Sequence, residues 1–129
     1  MELWYTFEDV QLEFGKELPL VDDGTGQDVI DVNLIETALR DTQNLIMTYL
    51  RKMKTFKEDP SPLVILELKS SYLNIARYRF TNKSNELTDM IVERYKAEIE
   101  YLREVSAGKV LLGETATKVG LINRRLQRG

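Results

Sequence analysis

Residues 73–80 read LNIARYRF and form the last part of a long apolar segment of the chain. This segment opens at Ser61-Pro62, where a serine N-cap followed by proline at the first helical position predicts a helix start. From there to about Phe80, apolar side chains recur every three to four residues, and others widen the stripe around most of the helix. The predicted face contains Leu63, Leu66, Leu73, Ala76 and Phe80, widened by Val64, Leu68, Tyr72 and Ile75. Such a helix lies at the centre of a bundle or is buried again in an oligomer.

Two more long helices flank this central helix. An apolar stripe predicts a helix at about residues 33–54, with Asp31 or Asn33 as its cap. Residues 81–85 form a polar loop that offers two capping residues. A second stripe then predicts a helix at about residues 86–107.

The first predicted helix is short. Thr6 provides an N-cap hydroxyl, and Asp9 provides a carboxylate for the unpaired N–H groups of the first turn. Gly15 is predicted to end this helix in the left-handed conformation, and Gly108 ends the last helix. Two helical turns do not persist alone, so the apolar face must dock on the longer helices. That face is Phe7, Val10 and Phe14.

One short and three long helices predict an all-α protein. Residues 1–108 are expected to form a small helical bundle, followed by an extended or partly ordered basic C-terminal tail at residues 109–129. Within this tail, residues 109–113 are expected to pair as a short strand or to pack as an extended arm.

The polar stretch before the second helix is predicted to be a connection. Residues 16–32 join the first two helices, and the turn formers and charges at residues 22–28 indicate an exposed loop. Its acidic residues lack the ligand spacing of a calcium loop. Its two glycines do not lie between a strand and a helix, as a phosphate-binding loop requires.

Composition narrows the classes of function. The 129 residues include no cysteine and no histidine, which removes disulfides, thiolate metal sites and the commonest general base. No carboxylate pair has a Lys or Tyr at a spacing that assigns acid and base roles. We therefore predict no enzyme and no catalytic, cofactor-binding or metal-binding residue. No membrane span or signal peptide is indicated, so synthesis in the cytoplasm is expected.

Charge is distributed unevenly along the chain. Five basic residues against Glu114 give residues 109–129 a net charge of +4; with −3 for the whole chain, residues 1–108 carry −7. The basic tail suits nucleic-acid contact or docking on an acidic protein surface, and a solvated terminus is the alternative. The acidic body does not suit phosphate binding. The tail arginines proposed as interface residues are Arg124, Arg125 and Arg128.

The run Arg77-Tyr78-Arg79 lies on the otherwise apolar central helix. Arg77 falls on the apolar side, where a guanidinium needs a partner. One interpretation is an internal ion pair with a carboxylate such as Glu98 or Asp89. The other is recognition at a protein interface, where arginine and tyrosine are enriched.

Two further aromatic or basic sites are interface candidates. Arg94 and Tyr95 repeat the Arg-Tyr pair on the next helix, where they can form a polar cluster between helices or contact phosphate. Trp4 precedes the first helix and can grip a neighbouring subunit as an aromatic arm. The alternative is structural, with Tyr5 packing on Val10 as a hydrophobic staple.

Several short motifs occur in a fixed order along the chain. The IARYR core at residues 75–79 is followed by VERYKAEIEYL at residues 92–102 and by SAG at residues 106–108. The preceding motifs are YTFED at 5–9, FG at 14–15, EL at 17–18 and YL at 49–50. Together this set resembles the short head-gene proteins of Mu-like phages and prophages, a family of unknown function.

The resemblance covers roughly residues 4–113. Family members often continue after the YL motif with an Arg-Tyr and a Leu-Pro step, whereas this chain reaches proline only at Pro60. The tail from Glu114 onward has no counterpart in these motifs.

The resemblance implies a virion assembly protein, specifically a head–tail connector or neck adaptor subunit. The implied partners are other copies of the chain in a ring below the portal, the portal itself, and tail or neck proteins. DNA would be only a cargo passing through the channel. The protein would move from the host cytoplasm to the head–tail junction of the virion. The alternative is a small prophage-encoded helical regulator or DNA-associated factor that uses the basic tail.

Overall fold

The computed structural model describes residues 2–53 and 59–113 of the chain. Its elements in chain order are α1 (Phe7–Phe14), β1 (Leu20–Asp22), β2 (Asp28–Ile30), α2 (Val32–Arg51), α3 (Pro62–Glu67), α4 (Lys69–Lys83) and α5 (Asp89–Ser106). The described part is mostly helical, as predicted. It also contains a two-stranded antiparallel sheet, so the all-α prediction needs correction.

Helix α1 begins as predicted but ends differently. The Thr6 N–H donates a hydrogen bond to Asp9 Oδ2 at 2.8 Å, which is half of a capping box. Gly15 has a φ of −45°, so the predicted left-handed ending is wrong. Glycine is required there for another reason, because an added Cβ would lie 2.8 Å from the Gln11 carbonyl oxygen.

Part of the predicted connection forms a β-hairpin. The paired residues are Leu20 with Ile30, Val21 with Val29, and Asp22 with Asp28. The loop prediction holds only for the turn between the strands, where Asp22 Oδ1 accepts hydrogen bonds from the N–H groups of Gly24 and Gly26 at 2.7 and 3.1 Å. Both glycines have positive φ, which a residue without Cβ adopts at little cost. The strands escape prediction because three-residue segments carry too little periodicity.

The predicted central helix is interrupted. Ser61 caps its start as expected, accepting a hydrogen bond from the Val64 N–H at 3.3 Å. The helical run then breaks at Leu68, which has φ −89° and ψ 4°, and resumes as α4. Leu63 and Leu66, predicted to face the core, are 42% and 63% exposed because α3 buries Val64 instead.

The boundaries of α2 and α5 lie close to their predicted positions. Asp31 caps α2 by accepting a hydrogen bond from the Leu34 N–H at 3.1 Å. Helix α4 continues to Lys83, so the loop predicted at residues 81–85 starts later. The cap of α5 is Thr88, outside that loop, and its hydroxyl accepts from the Ile91 N–H at 3.2 Å.

The three longest helices, α2, α4 and α5, pack on one another around a common core. Its largest fully buried side chains include Tyr72, Phe80, Ile35, Leu39, Ile46, Leu50, Leu68, Ile75 and Leu102. Residues 109–113 form no strand and pack against α3. There Leu112 is buried, and the Gly113 N–H donates to Glu67 Oε1 at 3.0 Å.

Candidate protein interface

Arg77 of α4 reaches the end of α1. Its side chain is only 4% exposed, and its Nη1 lies 3.1 Å from Glu17 Oε2, forming an ion pair. The guanidinium carbon lies 4.4 Å from the centre of the Phe14 ring, a cation–π contact. An internal ion pair therefore exists, but its partner is Glu17 and neither of the predicted carboxylates.

Glu98, one of those predicted partners, has a different role. Its carboxylate accepts hydrogen bonds from the Ser70 and Ser71 hydroxyls at 2.7 and 3.0 Å and from Asn74 Nδ2 at 3.1 Å. These bonds join α4 to α5. Glu98 therefore holds two helices together instead of neutralising the arginine.

A cavity opens where α1 ends. We call it the α1-end pocket, and it has a volume of about 290 Å³. Its lining residues are Glu13, Phe14, Gly15, Lys16, Glu17, Arg77 and Arg94. The Nε and Nη2 atoms of Arg77 are buried without a hydrogen-bond partner, whereas Arg94 is exposed. The arginines of the two Arg-Tyr pairs, Arg77 and Arg94, thus border the same pocket.

The two tyrosines of these pairs form a stack between α4 and α5. The rings of Tyr78 and Tyr95 lie 3.8 Å apart and nearly parallel, at 11°. They border a second cavity, a groove of about 200 Å³ that is also lined by residues of α2. Arg79 also lines this groove, and its Nε is buried without a partner.

Trp4 is held against the bundle. Its backbone N–H donates to Gln43 Oε1 at 2.8 Å, and its ring lies 5.9 Å from the ring of Tyr72. The Tyr5 hydroxyl donates to the Ile65 carbonyl oxygen at 2.6 Å, which fastens the same segment to α3. Trp4 also borders an open cavity of about 590 Å³ between the N-terminal segment, α2 and α3.

Burial shapes the ionisation of the tyrosines. Desolvation raises the pKa of Tyr72 far above its usual value, with a smaller contribution from Tyr5. The pKa values of Tyr5 and Tyr101 are also raised, mainly by burial. A raised pKa keeps these hydroxyls protonated at neutral pH, and those of Tyr5 and Tyr72 act as hydrogen-bond donors. In the hairpin turn, hydrogen bonds from Thr25 lower the pKa of Asp23.

Three of the predicted interface residues lie outside the described part of the chain. Arg124, Arg125 and Arg128 are outside residues 2–53 and 59–113. Within those ranges, no group of three or more acidic side chains is placed to hold a metal ion. No helix in the same ranges is long and apolar enough to cross a membrane.

Five lining residues of the α1-end pocket were not among the predicted site residues: Glu13, Phe14, Gly15, Lys16 and Glu17. Glu17 is 60 positions from Arg77 in the sequence. A lone arginine on an apolar face signals that a carboxylate is needed, but it does not indicate which one.

Together these features define a small helical-bundle protein with a β-hairpin and a surface where arginine and tyrosine side chains border cavities. Residues 5–123 match the family model described as Bacteriophage Mu, Gp36, and the chain belongs to this family. The resemblance to Mu-like phage proteins is thus confirmed, and the match continues beyond Glu114, where the motifs show no counterpart. No curated protein and no solved structure matches the chain.

Proposed function

We propose that this chain is a virion assembly protein of a Mu-like phage or prophage, acting as a head–tail connector subunit in a ring below the portal. Membership of a bacteriophage Mu family over residues 5–123 is the observation that carries this proposal. Synthesis in the host cytoplasm and incorporation at the head–tail junction complete it. The proposed role needs no catalytic residue, cofactor or metal.

Exposed apolar side chains support a role in protein–protein contact. Leu12 on α1 is 88% exposed, Leu66 on α3 is 63% exposed, and Leu20 on the hairpin is 58% exposed. Apolar side chains at such exposed positions are available to be covered by a partner protein. The predicted partners are other copies of this chain, the portal and the tail or neck proteins.

The charge distribution supports DNA as a passing cargo. Residues 1–108 carry a net charge of −7, which disfavours adhesion of the phosphate backbone to the folded body. A wall of a DNA channel must let its cargo slide, so an acidic body suits that position. The basic tail suits docking on a neighbouring subunit or the portal.

The test is to purify particles from an induced lysate of the source strain and to quantify peptides of this chain against those of the portal. A fixed ratio of about one copy per portal subunit is expected for a connector ring. Absence from mature particles would overturn the proposal. Salt-sensitive binding of generic DNA by the full chain, lost on removal of residues 109–129, would then favour the DNA-associated alternative.

A further inference from the structure

The α1-end pocket contains a buried guanidinium that is only partly satisfied. Arg77 is 3% exposed, yet only Nη1 has a hydrogen-bond partner, while Nε and Nη2 have none. A buried donor without an acceptor is costly, because it has lost its water without gaining a partner. Arg77 is also one of the lining residues of the α1-end pocket, whose volume is about 290 Å³.

The charges around the pocket indicate what kind of acceptor fits. Lys16 and Arg94 add two cations to its lining, and neither has an ion-pair partner among the described residues. Glu13 and Glu17 also line it, which disfavours a polyanion such as the DNA backbone. A single carboxylate from another protein can pair with the exposed Lys16 or Arg94 without placing many negative charges beside these two glutamates.

The hairpin tip presents carboxylates of this kind. Asp22 and Asp23 both use Oδ1 for hydrogen bonds within the turn, and each retains Oδ2 as an acceptor. Asp28 lies opposite Asp22 in the strand pairing and is exposed. The turn and the strand ends next to it thus hold three carboxylates at the outer end of a short hairpin. Beside them, Val21 and Val29 are 43% and 39% exposed.

The hairpin begins just after the residues that line the α1-end pocket. The Asp31 N–H donates to the Pro19 carbonyl oxygen at 2.9 Å, which closes the hairpin base two residues after Glu17. From that base the three-residue strands extend about 10 Å before the turn. The turn is thus separated from the Pro19–Asp31 base, and from the nearby Glu17, by the length of the two strands.

We propose that the α1-end pocket receives the acidic hairpin tip of a second copy of this chain. This is a head-to-tail contact between different surfaces, the type that closes subunits into a ring. It rests on the proposed connector function and specifies how neighbouring subunits meet. The contact also covers Leu12, beside Glu13 on α1, with the exposed valines of the hairpin.

Introduced cysteines test this contact, because the natural chain has none. Gln27→Cys labels the tip, Glu13→Cys labels the pocket rim, and Arg103→Cys on the exposed face of α5 is the control. Pairs of variants are co-produced during induction of the source strain, and purified particles are treated with a short bis-maleimide. A tip–pocket dimer is expected from Gln27→Cys with Glu13→Cys, and none from Gln27→Cys with Arg103→Cys.

Charge exchange provides a second measurement on the same particles. Arg94→Glu is expected to abolish the tip–pocket dimer, and adding Asp28→Lys is expected to restore it. Both side chains are exposed, so neither change removes a buried contact. Particles that contain the protein but give no tip–pocket dimer, or no recovery on exchange, overturn this inference and leave the connector proposal intact. Particles that lack the protein overturn both.

Discussion

Arg77 and Glu17 lie 60 residues apart in sequence, and their side chains meet at 3.1 Å where α4 passes the end of α1. The two ends of this ion pair differ in environment, since the arginine side chain is 4% exposed and the glutamate side chain 53%. The pair therefore ties the α1–hairpin unit to the most buried helix while leaving one side open to solvent. The same arginine stacks on Phe14, so charge and packing act together there.

Replacing Glu17 is expected to destabilise the fold. Glu17→Ala leaves a buried guanidinium without its acceptor, and a loss of about 1–3 kcal/mol in the free energy of unfolding follows. Urea denaturation measures this loss. Glu13→Ala, on the same exposed rim, is the matched control and is expected to change stability by no more than about 0.5 kcal/mol. Equal losses in the two variants would show that the ion pair contributes nothing.

Removing the Tyr72 hydroxyl is expected to weaken the core without opening it. This hydroxyl lies 2.9 Å from the Leu39 carbonyl oxygen and 2.9 Å from Gln43 Oε1, so it connects α4 to α2. Tyr72→Phe keeps the ring but leaves both acceptors without this donor, at a cost of about 1–2 kcal/mol. Tyr49→Phe on the half-buried side of α2 serves as control. A thermal denaturation midpoint unchanged from that of the natural chain would contradict the prediction.

Alkaline pH is expected to act through the same residue. Burial raises the pKa of Tyr72 in the folded protein above its unfolded value near ~10. The stability that this difference contributes is therefore complete below about pH 10 and is lost as pH rises through the folded-state pKa. In Tyr72→Phe this ionisation is absent, so stability is expected to fall less steeply above pH ~10. Parallel curves of the free energy of unfolding against pH for the natural chain and Tyr72→Phe would contradict this.

Gly113 is expected to tolerate no side chain. Its φ is +57°, and an added Cβ would overlap Val64 Cγ2. Gly113→Ala should therefore cost about 1–3 kcal/mol and loosen the packing of residues 109–113 on α3. Gly24→Ala has the same kind of backbone conformation but open space around it, so it isolates the backbone contribution. In a Val64→Ala background the penalty of Gly113→Ala should shrink; an unchanged penalty would exclude the overlap as its cause.

Local signals account for the elements that could be predicted. The Thr6–Asp9 pair marks the start of α1, Asp31 marks α2 and Ser61-Pro62 marks α3. Each works because a side chain within three residues satisfies helical N–H groups that would otherwise be unpaired. The spacing of apolar residues then gives the course of α2 and α5 to within a few residues. The hairpin was beyond such signals, since each strand has only three residues and its stability depends on pairing.

The order of short motifs from Tyr5 to Gly108 is a feature of the sequence alone, and it indicated the phage family to which the chain belongs. The sequence did not predict the break at Leu68, which splits the predicted central helix into α3 and α4, or the side of α3 that faces the core. These features arise when helices compete for the same buried space, which no single segment encodes. For the same reason the sequence indicated that Arg77 needs a partner, while only the tertiary placement of the segment after α1 beside Arg77 selected Glu17. Helix starts and the periodicity of apolar residues depend on residues that are close together in sequence. The Arg77–Glu17 ion pair joins residues 60 positions apart, so it depends on the tertiary structure.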